Sequence, residues 1–599
     1  MARSDFVHLH THTEYSMLDG AASNEKLFAE VARQGMPAVA MTDHGNMFGA
    51  YEFFQISKKY DGDQNPLIKP IIGIEAYVAP STRKSRVQEF WGTSRDAGDP
   101  DAEGGKDVSG GGRYTHMTMW AKDSEGLHNL FRLSSLASYE GYYMKPRMDR
   151  ELMGQYPGGI IASTGCPSGE VQTRLRLGQF EEACQAASDY RDIFGRENYF
   201  CELMDHGVPI EKQVRSDLLK LAKKLDIPLL VTNDSHYVTE DQADAHDSLL
   251  CVGVGRNKDD PNRFRFNGSG YYIKSSEQMR ALFPDHPEAC DNTLLLTEMI
   301  GSYDEVFKYV DRMPQFDVPE GETQESWLRK KLQEGLDEKF GPNPPKEVLE
   351  RLETELSVIE PLGFSSYFLV VSDICNAARS MGVPVGPGRG SAAGSLVAYL
   401  TGIIAINPLE HGLLFERFLN PERVNPPDID LDFDDRQRDK VIDYVTHKYG
   451  AEYTSQVNTF GKIKAKAAVK DANRILGYPF ALGDKITKAM PPDVMGKGVP
   501  LDKIFDSSHE RYGEGQEFRQ LVADNPDVAK VVETAKGLEG LIRGTGVHAC
   551  AFILSSTPLL DLVPMHKRDK DGMIIAGFAY PQLEEMGLMK MDFLGLRNL

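Results

Sequence analysis

Over roughly the first 280 residues, short apolar, β-branched runs alternate with longer amphipathic stretches, the pattern of repeated β–α units. The runs are DFVHLH, MPAVAMTDH, PIIGIEAYVA, YTHMTMWA, GGIIASTG and IPLLVTND. Between the third and fourth lies WGTSRDAGDPDAEGGKDVSGGG, residues 91–112, rich in Gly, Asp and Ser, which predicts a mobile surface insertion. From about residue 320 the texture changes to long charged helices, ESWLRKKLQEGLDEKF and PKEVLERLETELSVIEPLG. A Gly-rich turn, GPGRGSAAGS, and a carboxylate-rich strand, PPDIDLDFDD, follow. Residues 436–540 read as mostly helical with Pro/Gly breaks, and the segment from GVHACAFILSS to LMKMDFLGLRNL returns to strand-like runs. No tandem repeat of fixed period is present.

At 599 residues and 66.7 kDa the chain exceeds what one hydrophobic core organises, so several domains are expected. Composition is that of a soluble globular protein, 41% hydrophobic and 26% charged. The net charge of −22 does not exclude nucleic acid, because a phosphate backbone responds to the field in its groove rather than to the total. Seven cysteines are scattered without a C-x-x-C pair, which argues for a reducing compartment and against a disulfide framework or zinc ribbon. No apolar run approaches the roughly 20 residues that span a bilayer, and MARSDFVHLH lacks a signal core. A cytoplasmic location without membrane contact is expected.

Chemistry gathers at the ends of the runs. His8 and His10, two apart, share a face if FVHLH is a strand. The other runs end in Asp43 and His44, Glu75, His116, Cys166, and Asp234 with His236. In a β/α barrel the strand ends collect at one mouth, so the set predicts one site. Imidazole, carboxylate and a thiolate together suit Zn²⁺, Mn²⁺ or Fe²⁺ better than the all-oxygen preference of Mg²⁺ or Ca²⁺.

A second constellation follows residue 386. Asp428, Asp430 and Asp432 fall at i, i+2, i+4, so on a strand three like charges share one face, an arrangement that calls for cations. Asp592, alone within the apolar run LMKMDFLGL, is the natural third ligand beside such a pair, and Mg²⁺ is the expected ion. Gly386, Gly388 and Gly390 with Arg389 and Ser391 precede a helix and predict a triphosphate site. The same string satisfies G-x-G-x-x-A at Gly388, Gly390 and Ala393, but no clear β–α–β unit supports a dinucleotide fold. Lys462, Lys466, Lys470 and Arg474 recur at i+4 with Lys464 to one side, predicting a cationic helical stripe for phosphate contacts against the single acid Asp471. Arg543, His548 and Lys590 are expected to add positive charge near a triphosphate.

The first constellation resembles the polymerase and histidinol phosphatase (PHP) family, which implies a distorted (β/α)₇ barrel, up to three metal ions and phosphoesterase chemistry. Carried over by motif, the ligand positions fall on His8, His10, Asp19, His44, Glu75, His116, Cys166, Asp234 and His236; Asp19, in SMLDGA, enters through the resemblance alone. GPGRGSAAGS, PPDIDLDF, TFGKIKAKAAVKD, RGTGVHACAF and MKMDFLGLRNL, in this order behind a PHP domain, resemble the bacterial C-family replicative DNA polymerases. That likeness implies a palm with the polymerase-beta type of nucleotidyltransferase fold (α+β), metal-binding acids Asp430, Asp432 and Asp592, and a helical thumb. The expected divisions are a PHP domain over 1–285, a first palm part over 286–460, the thumb over 461–540 and a second palm part over 541–599. The implied function is DNA-directed DNA polymerisation by two-metal nucleotidyl transfer, with a PHP 3′→5′ exonuclease for proofreading. Primer–template DNA and dNTPs are the implied substrates. Sliding clamp and other replisome subunits are expected to bind through regions beyond residue 599, and the fragment is expected to polymerise weakly or not at all. The competing readings are a phosphoesterase whose barrel is the only active part, and a barrel that serves as a structural platform.

Overall fold

A computed structural model describes residues 5–92, 107–420 and 427–599. Most of the insertion expected over 91–112 lies outside the described residues, as does Pro426. Its flanks are anchored: Asp107 accepts from the Trp91 amide at 2.8 Å, Val108 and Ser109 are buried, and the Arg174 guanidinium lies 3.8 Å from the centre of the Trp91 ring. The chain forms two compact units, Met1–Phe307 with Phe460–Gly546 and Pro564–Asp569, and Lys308–Thr459 with Val547–Val563 and Lys570–Leu599. Among the described residues no helix is long and apolar enough to cross a membrane.

The first unit is built on a seven-stranded sheet of β1 (Ala38–His44), β2 (Lys69–Val78), β3 (Thr115–Ala121), β4 (Arg147–Met148), β5 (Ile160–Ser163), β6 (Tyr199–Leu203) and β7 (Leu229–Val231). Its order is β1-β2-β3-β5-β6-β7, with β4 beside β2. All neighbours are parallel except β3, which runs against both β2 and β5. Helices such as Ala50–Ser57, Ser124–Glu140 and Pro209–Leu225 follow the strands; in the last, Val214, Leu218, Leu221 and Ala222 supply the buried stripe at helical spacing. DFVHLH, expected as the first strand, is not a ladder strand. It is nonetheless extended between the two edges of the sheet: the Ala40 amide donates to His8 O and the Thr42 amide to Thr11 O, while the Ser235 amide donates to His10 O and the His12 amide to Ser235 O. The segment thus ties the β1 edge to the loop that leaves β7, and the sheet curls around it.

Residues 460–546 pack within this unit. Helix Ala465–Ile475 turns Ala465, Ala468, Val469, Ala472 and Ile475 inward, and its core cluster takes in Leu249, Cys251 and Val252 from helix Ala243–Val254. Lys462 belongs to no helix. The helix begins at Ala465, so the expected stripe keeps only Lys466, Lys470 and Arg474, and Lys462 ends a strand.

The second unit carries β8 (Asp430–Asp434), most of β9 (Thr454–Lys462), Val547–Leu554 of β10 (Ile542–Leu554), β12 (Ile574–Ala579) and β13 (Met589–Leu596). The short β11 (Met565–Lys567) belongs to the first unit, where Met565 and Lys567 amides donate to Ser135 and Ser138 of helix Ser124–Glu140. Within the second unit the order is β12-β9-β10-β13-β8, with β13 parallel to β8 and antiparallel to β10. Helices Gln324–Phe340, Lys346–Ile359, Ser365–Ser380 and Arg438–Tyr449 supply the rest of its core. Leu328, Leu332 and Leu336 recur every four residues and join Leu352, Leu356, Phe368, Phe433 and Phe593 in one buried cluster.

Candidate metal centre and carboxylate site

Sheet register collects the first site. Aligned residues on neighbouring strands project to one face, and His44 pairs with Glu75, Glu75 with Thr118, and Tyr77 with His116. Because β3 is antiparallel, its beginning, where His116 sits, reaches the same mouth as the ends of the parallel strands. Asp234, His236 and Cys166 follow β7 and β5 on loops, and Asp19 lies in a turn. Asp43 faces the other way. It is fully buried and accepts from Thr13 N (2.7 Å), Thr13 Oγ1 (2.8 Å) and Ser16 Oγ (2.7 Å), so it ties down the loop rather than joining the cluster.

Three groups of potential ligands converge: His10, His12 and Asp234; His12, His44 and His236; and His44, Glu75 and His116. His12 joins His10 here, where the sequence pattern points to His8. The structure places His12 Nε2 3.1 Å from Asp234 Oδ1 and 3.5 Å from Glu75 Oε2. His8 instead pairs its Nε2 with Lys274 O at 2.9 Å, packs edge-on to Phe6, and joins none of these groups. The three histidines alternate at period two, so spacing alone could not choose the pair. The choice is made by the bend after His12, where Thr13 and Ser16 bond to Asp43. Cys166 sits at the margin, its Sγ 3.4 Å from His116 Nδ1, and burial, then the nearby Glu75 and Asp234 carboxylates, push its thiol well above the usual range.

Proton placement at three imidazoles suits metal ligation. His10 Nδ1 donates to Glu202 Oε1 at 2.6 Å, His12 Nδ1 donates to Ser16 Oγ at 3.0 Å, and His236 Nδ1 donates to Asp234 O at 2.8 Å. Each leaves Nε2 turned inward, as the outer partners of metal-bound histidines do. Burial, with His44 and His236 close by, holds His12 at about 3, hence neutral. Burial alone would lower His44, but Glu75 and Asp19 raise it to about 10, and the Asp19 and Asp234 carboxyls lie well below their usual range because imidazoles face them. Asp19 Oδ1, Asp234 Oδ1 and His236 Nε2 are buried without a hydrogen-bond partner, while His44 Nδ1 and Glu75 Oε2 pair with each other at 2.6 Å. Unpaired buried atoms of this kind are costly. Divalent cations bound by this donor set would satisfy them, so the residues fit the metal centre expected of them.

Glu202 also escaped the sequence reading, together with its strand β6. It is buried, and Thr118 and Thr232 donate to it at 3.1 and 2.6 Å and Ser163 at closer range. The segment YFCELM held the signal, an apolar run carrying one acid, the same feature that marked Asp592. Asp234 adopts a left-handed backbone, φ 44°. Strain of this kind persists where surroundings enforce it, and here His206 Nε2 bonds Asn233 O at 2.9 Å while Lys274 Nζ donates to Asn233 Oδ1 at 3.0 Å.

In the second unit, parallel pairing of β8 with β13 sets Asp430 opposite Asp592, and Asp432 follows on the same face of β8. Asp428 precedes the strand and is exposed. Arg389 bridges the acids, with Nη1 2.7 Å from Asp430 Oδ2 and Nε 3.1 Å from Asp432 Oδ1. The turn that presents it needs Gly386: a Cβ there would lie 2.8 Å from Asp432 Cβ, and the Gly386 amide donates to Asp432 O at 2.8 Å. Lys590, two residues before Asp592, pairs with its Oδ2 at 2.6 Å, leaving Asp592 Oδ1 buried without a partner. The all-oxygen donor set fits Mg²⁺.

Other expected contacts take different places. Gly388 has φ 97°, Gly390 φ 65°, and Ser391 is exposed on a single 3₁₀ turn, Gly390–Gly394, rather than at the start of a long helix. His548 Nδ1 accepts from the amides of Cys550 and Ala551. Arg543, in the first unit, is ion-paired with Asp471. The cations of the expected stripe all face acids: Lys462 with Glu14 at 3.6 Å, Lys466 with Asp493 at 3.0 Å, Lys470 with Asp484 at 3.6 Å and Arg474 with Asp471 at 3.5 Å. The neighbouring helix and loop supply acids that a local charge count omits.

Two domains thus meet in one chain, the second bearing paired acids on adjacent strands. Residues 8–206 match the PHP domain, and residues 326–595 match the bacterial DNA polymerase III alpha NTPase domain. The chain belongs to the bacterial DNA polymerase III alpha subunit family. It is 57% identical over 597 residues to the DNA polymerase III subunit alpha of Saccharopolyspora erythraea, covering 99% of this chain and 49% of that protein. It is 56% identical over 602 residues to that of Mycobacterium tuberculosis (100% and 50%), and 39% identical over 658 residues to that of Thermus aquaticus (99% and 51%). The chain spans about half the length of the curated relatives it matches.

Proposed function

We propose that this chain supplies the nucleotidyl-transfer site of a DNA-directed DNA polymerase together with a metal-dependent 3′→5′ exonuclease. In this reading the first unit contains a distorted (β/α)₇ barrel and a helical thumb, and the second a polymerase-beta-type palm acting on primer–template DNA and dNTPs. Sliding clamp and replisome subunits would be partners and the cytoplasm its location. The observation that carries the polymerase reading is the β8–β13 register, which puts Asp430, Asp592 and Asp432 on one sheet face.

Asp430, Asp432 and Asp592 would hold Mg²⁺, which when bound favours the ionised primer hydroxyl and bears the charge of departing pyrophosphate. Arg389 and Lys590 already offset the acids and would present positive charge to a triphosphate. In the first unit His10, His12, Asp19, His44, Glu75, His116, Asp234 and His236, with Cys166 at the margin, would hold Zn²⁺, Mn²⁺ or Fe²⁺, which activate water and neutralise a phosphodiester. Glu202, Ser16 and the Asp234 carbonyl take the imidazole Nδ1 protons, keeping Nε2 available. In the full-length polymerase, Asp592→Asn should lower primer extension by more than about 100-fold, since losses one shell further out already cost about 10–100-fold. Extension near the parental rate would reject the assignment.

A further inference from the structure

The metal cluster opens into a cavity of about 460 Å³ within the first unit, lined on its floor by the candidate ligands. Its walls are unlike those of a site for a small phosphate ester. Phe264, Phe266 and Tyr77 bring three aromatic rings to it, and Lys145 and Arg265 bring two cations. Phe266 packs edge-on to His236 with ring centres 4.6 Å apart, and Tyr77 edge-on to His116 at 5.3 Å, so these rings adjoin the cluster directly. Lys145 Nζ lies 5.2 Å from the centre of the Tyr77 ring, and Arg265 stands between Phe264 and Phe266 in the sequence FRF. Both cations are exposed, and among the described residues neither is ion-paired with a carboxylate; Arg265 donates only to Asp260 O, at 2.8 Å.

Aromatic faces interleaved with exposed cations are how proteins hold single-stranded nucleic acid, the rings stacking on bases and the cations meeting phosphates. A base-free phosphate ester would leave the rings unused. The volume falls within the ordinary range for a pocket holding one small-molecule-sized group. We propose that Phe264, Arg265 and Lys145 grip a nucleotide at this mouth. The Phe264 ring stacks the base of the terminal nucleotide of a single strand, Phe266 backs that ring edge-on with ring centres 5.6 Å apart at 88°, and Lys145 and Arg265 draw its phosphates to the cluster. The inference rests on the phosphoesterase reading of the cluster and adds to it the side chains that hold the terminal nucleotide.

The test compares two chromogenic esters on the whole chain loaded with Mn²⁺: the p-nitrophenyl ester of thymidine 5′-monophosphate, and bis(p-nitrophenyl) phosphate, which has no base. Phe264→Ala should raise KM for the nucleotide ester about tenfold relative to the base-free ester, the size of one lost base–aromatic stack. Arg265→Gln, at an exposed position, should shift the same ratio in the same direction without a change in melting temperature or metal content. Equal effects on both esters, or none on either, would overturn the subsite while leaving the phosphoesterase reading intact. If the loaded parent cleaves neither ester, that reading fails, and calorimetric titration with thymidine monophosphate then decides the subsite. Weaker binding by Phe264→Ala supports it, and unchanged binding ends it.

Discussion

In the first unit imidazoles and carboxylates interleave in a cluster whose inner members are buried: His10 and His12 are fully buried and Glu75 is 1% exposed. In the second, three aspartates stand on two adjacent strands, and their charge is met by Arg389 and Lys590. The first site balances charge with groups that are themselves ligands; the second does so with cations of the protein that are not ligands, and both leave buried ligand atoms without a partner. A buried mixed donor set fits ions that stay with the protein. An all-oxygen set whose charge the protein's own cations already meet fits ions that exchange with an arriving nucleotide.

The comparison breaks most visibly if the two sites share their metal. Asp234→Asn should lower retention of tightly held metal by more than about 100-fold in affinity, whereas Asp432→Asn should leave it at the parental level; metal analysis after dialysis against a chelator measures both. Equal losses would mean that the buried cluster is not the retaining site. The next effect separates neighbouring histidines. His12→Gln should cost metal affinity on the order of 100-fold, and His8→Gln, which can still bond Lys274 O, should leave the metal content unchanged. A reversal would restore His8 as the ligand.

Glu202→Gln tests the outer partners. It keeps size but exchanges an acceptor of the His10 proton for a neutral amide, so metal affinity should fall about tenfold. Cobalt substitution adds an independent readout, because a loosened imidazole alters the visible absorption spectrum. The smallest effect is expected at the basic helix. Lys466 and Lys470 form exposed ion pairs, and Lys466→Ala or Lys470→Ala should change unfolding free energy by less than about 1 kcal/mol. If both variants also bind single-stranded oligonucleotide as the parent does, these lysines serve the fold rather than nucleic acid.

Much of the site could be read along the chain. His44, Glu75 and His116 stood at or near strand ends or starts, and Asp430 and Asp592 stood out as acids in apolar runs, since period two and the cost of a buried charge are local properties. Other features were hidden because they depend on pairing. β3 runs antiparallel, so His116 meets its partners from the start of its strand rather than its end. Lys462 ends β9, and the acids opposite Lys466 and Lys470 come from elsewhere in the chain.

The sequence by itself determined the inventory: two sets of chemistry, one mixed and one carboxylate, each on elements whose period is written in their side chains. Only the tertiary structure decided membership and protonation. His12 rather than His8 enters the cluster because Asp43 bends the following loop, and Glu202 is an outer partner because β6 sets it behind His10. Asp430 faces Asp592 because two strands far apart in sequence pair in one register. Spacing specifies which way a side chain points along its own element, but hydrogen bonds between distant segments set which atoms meet.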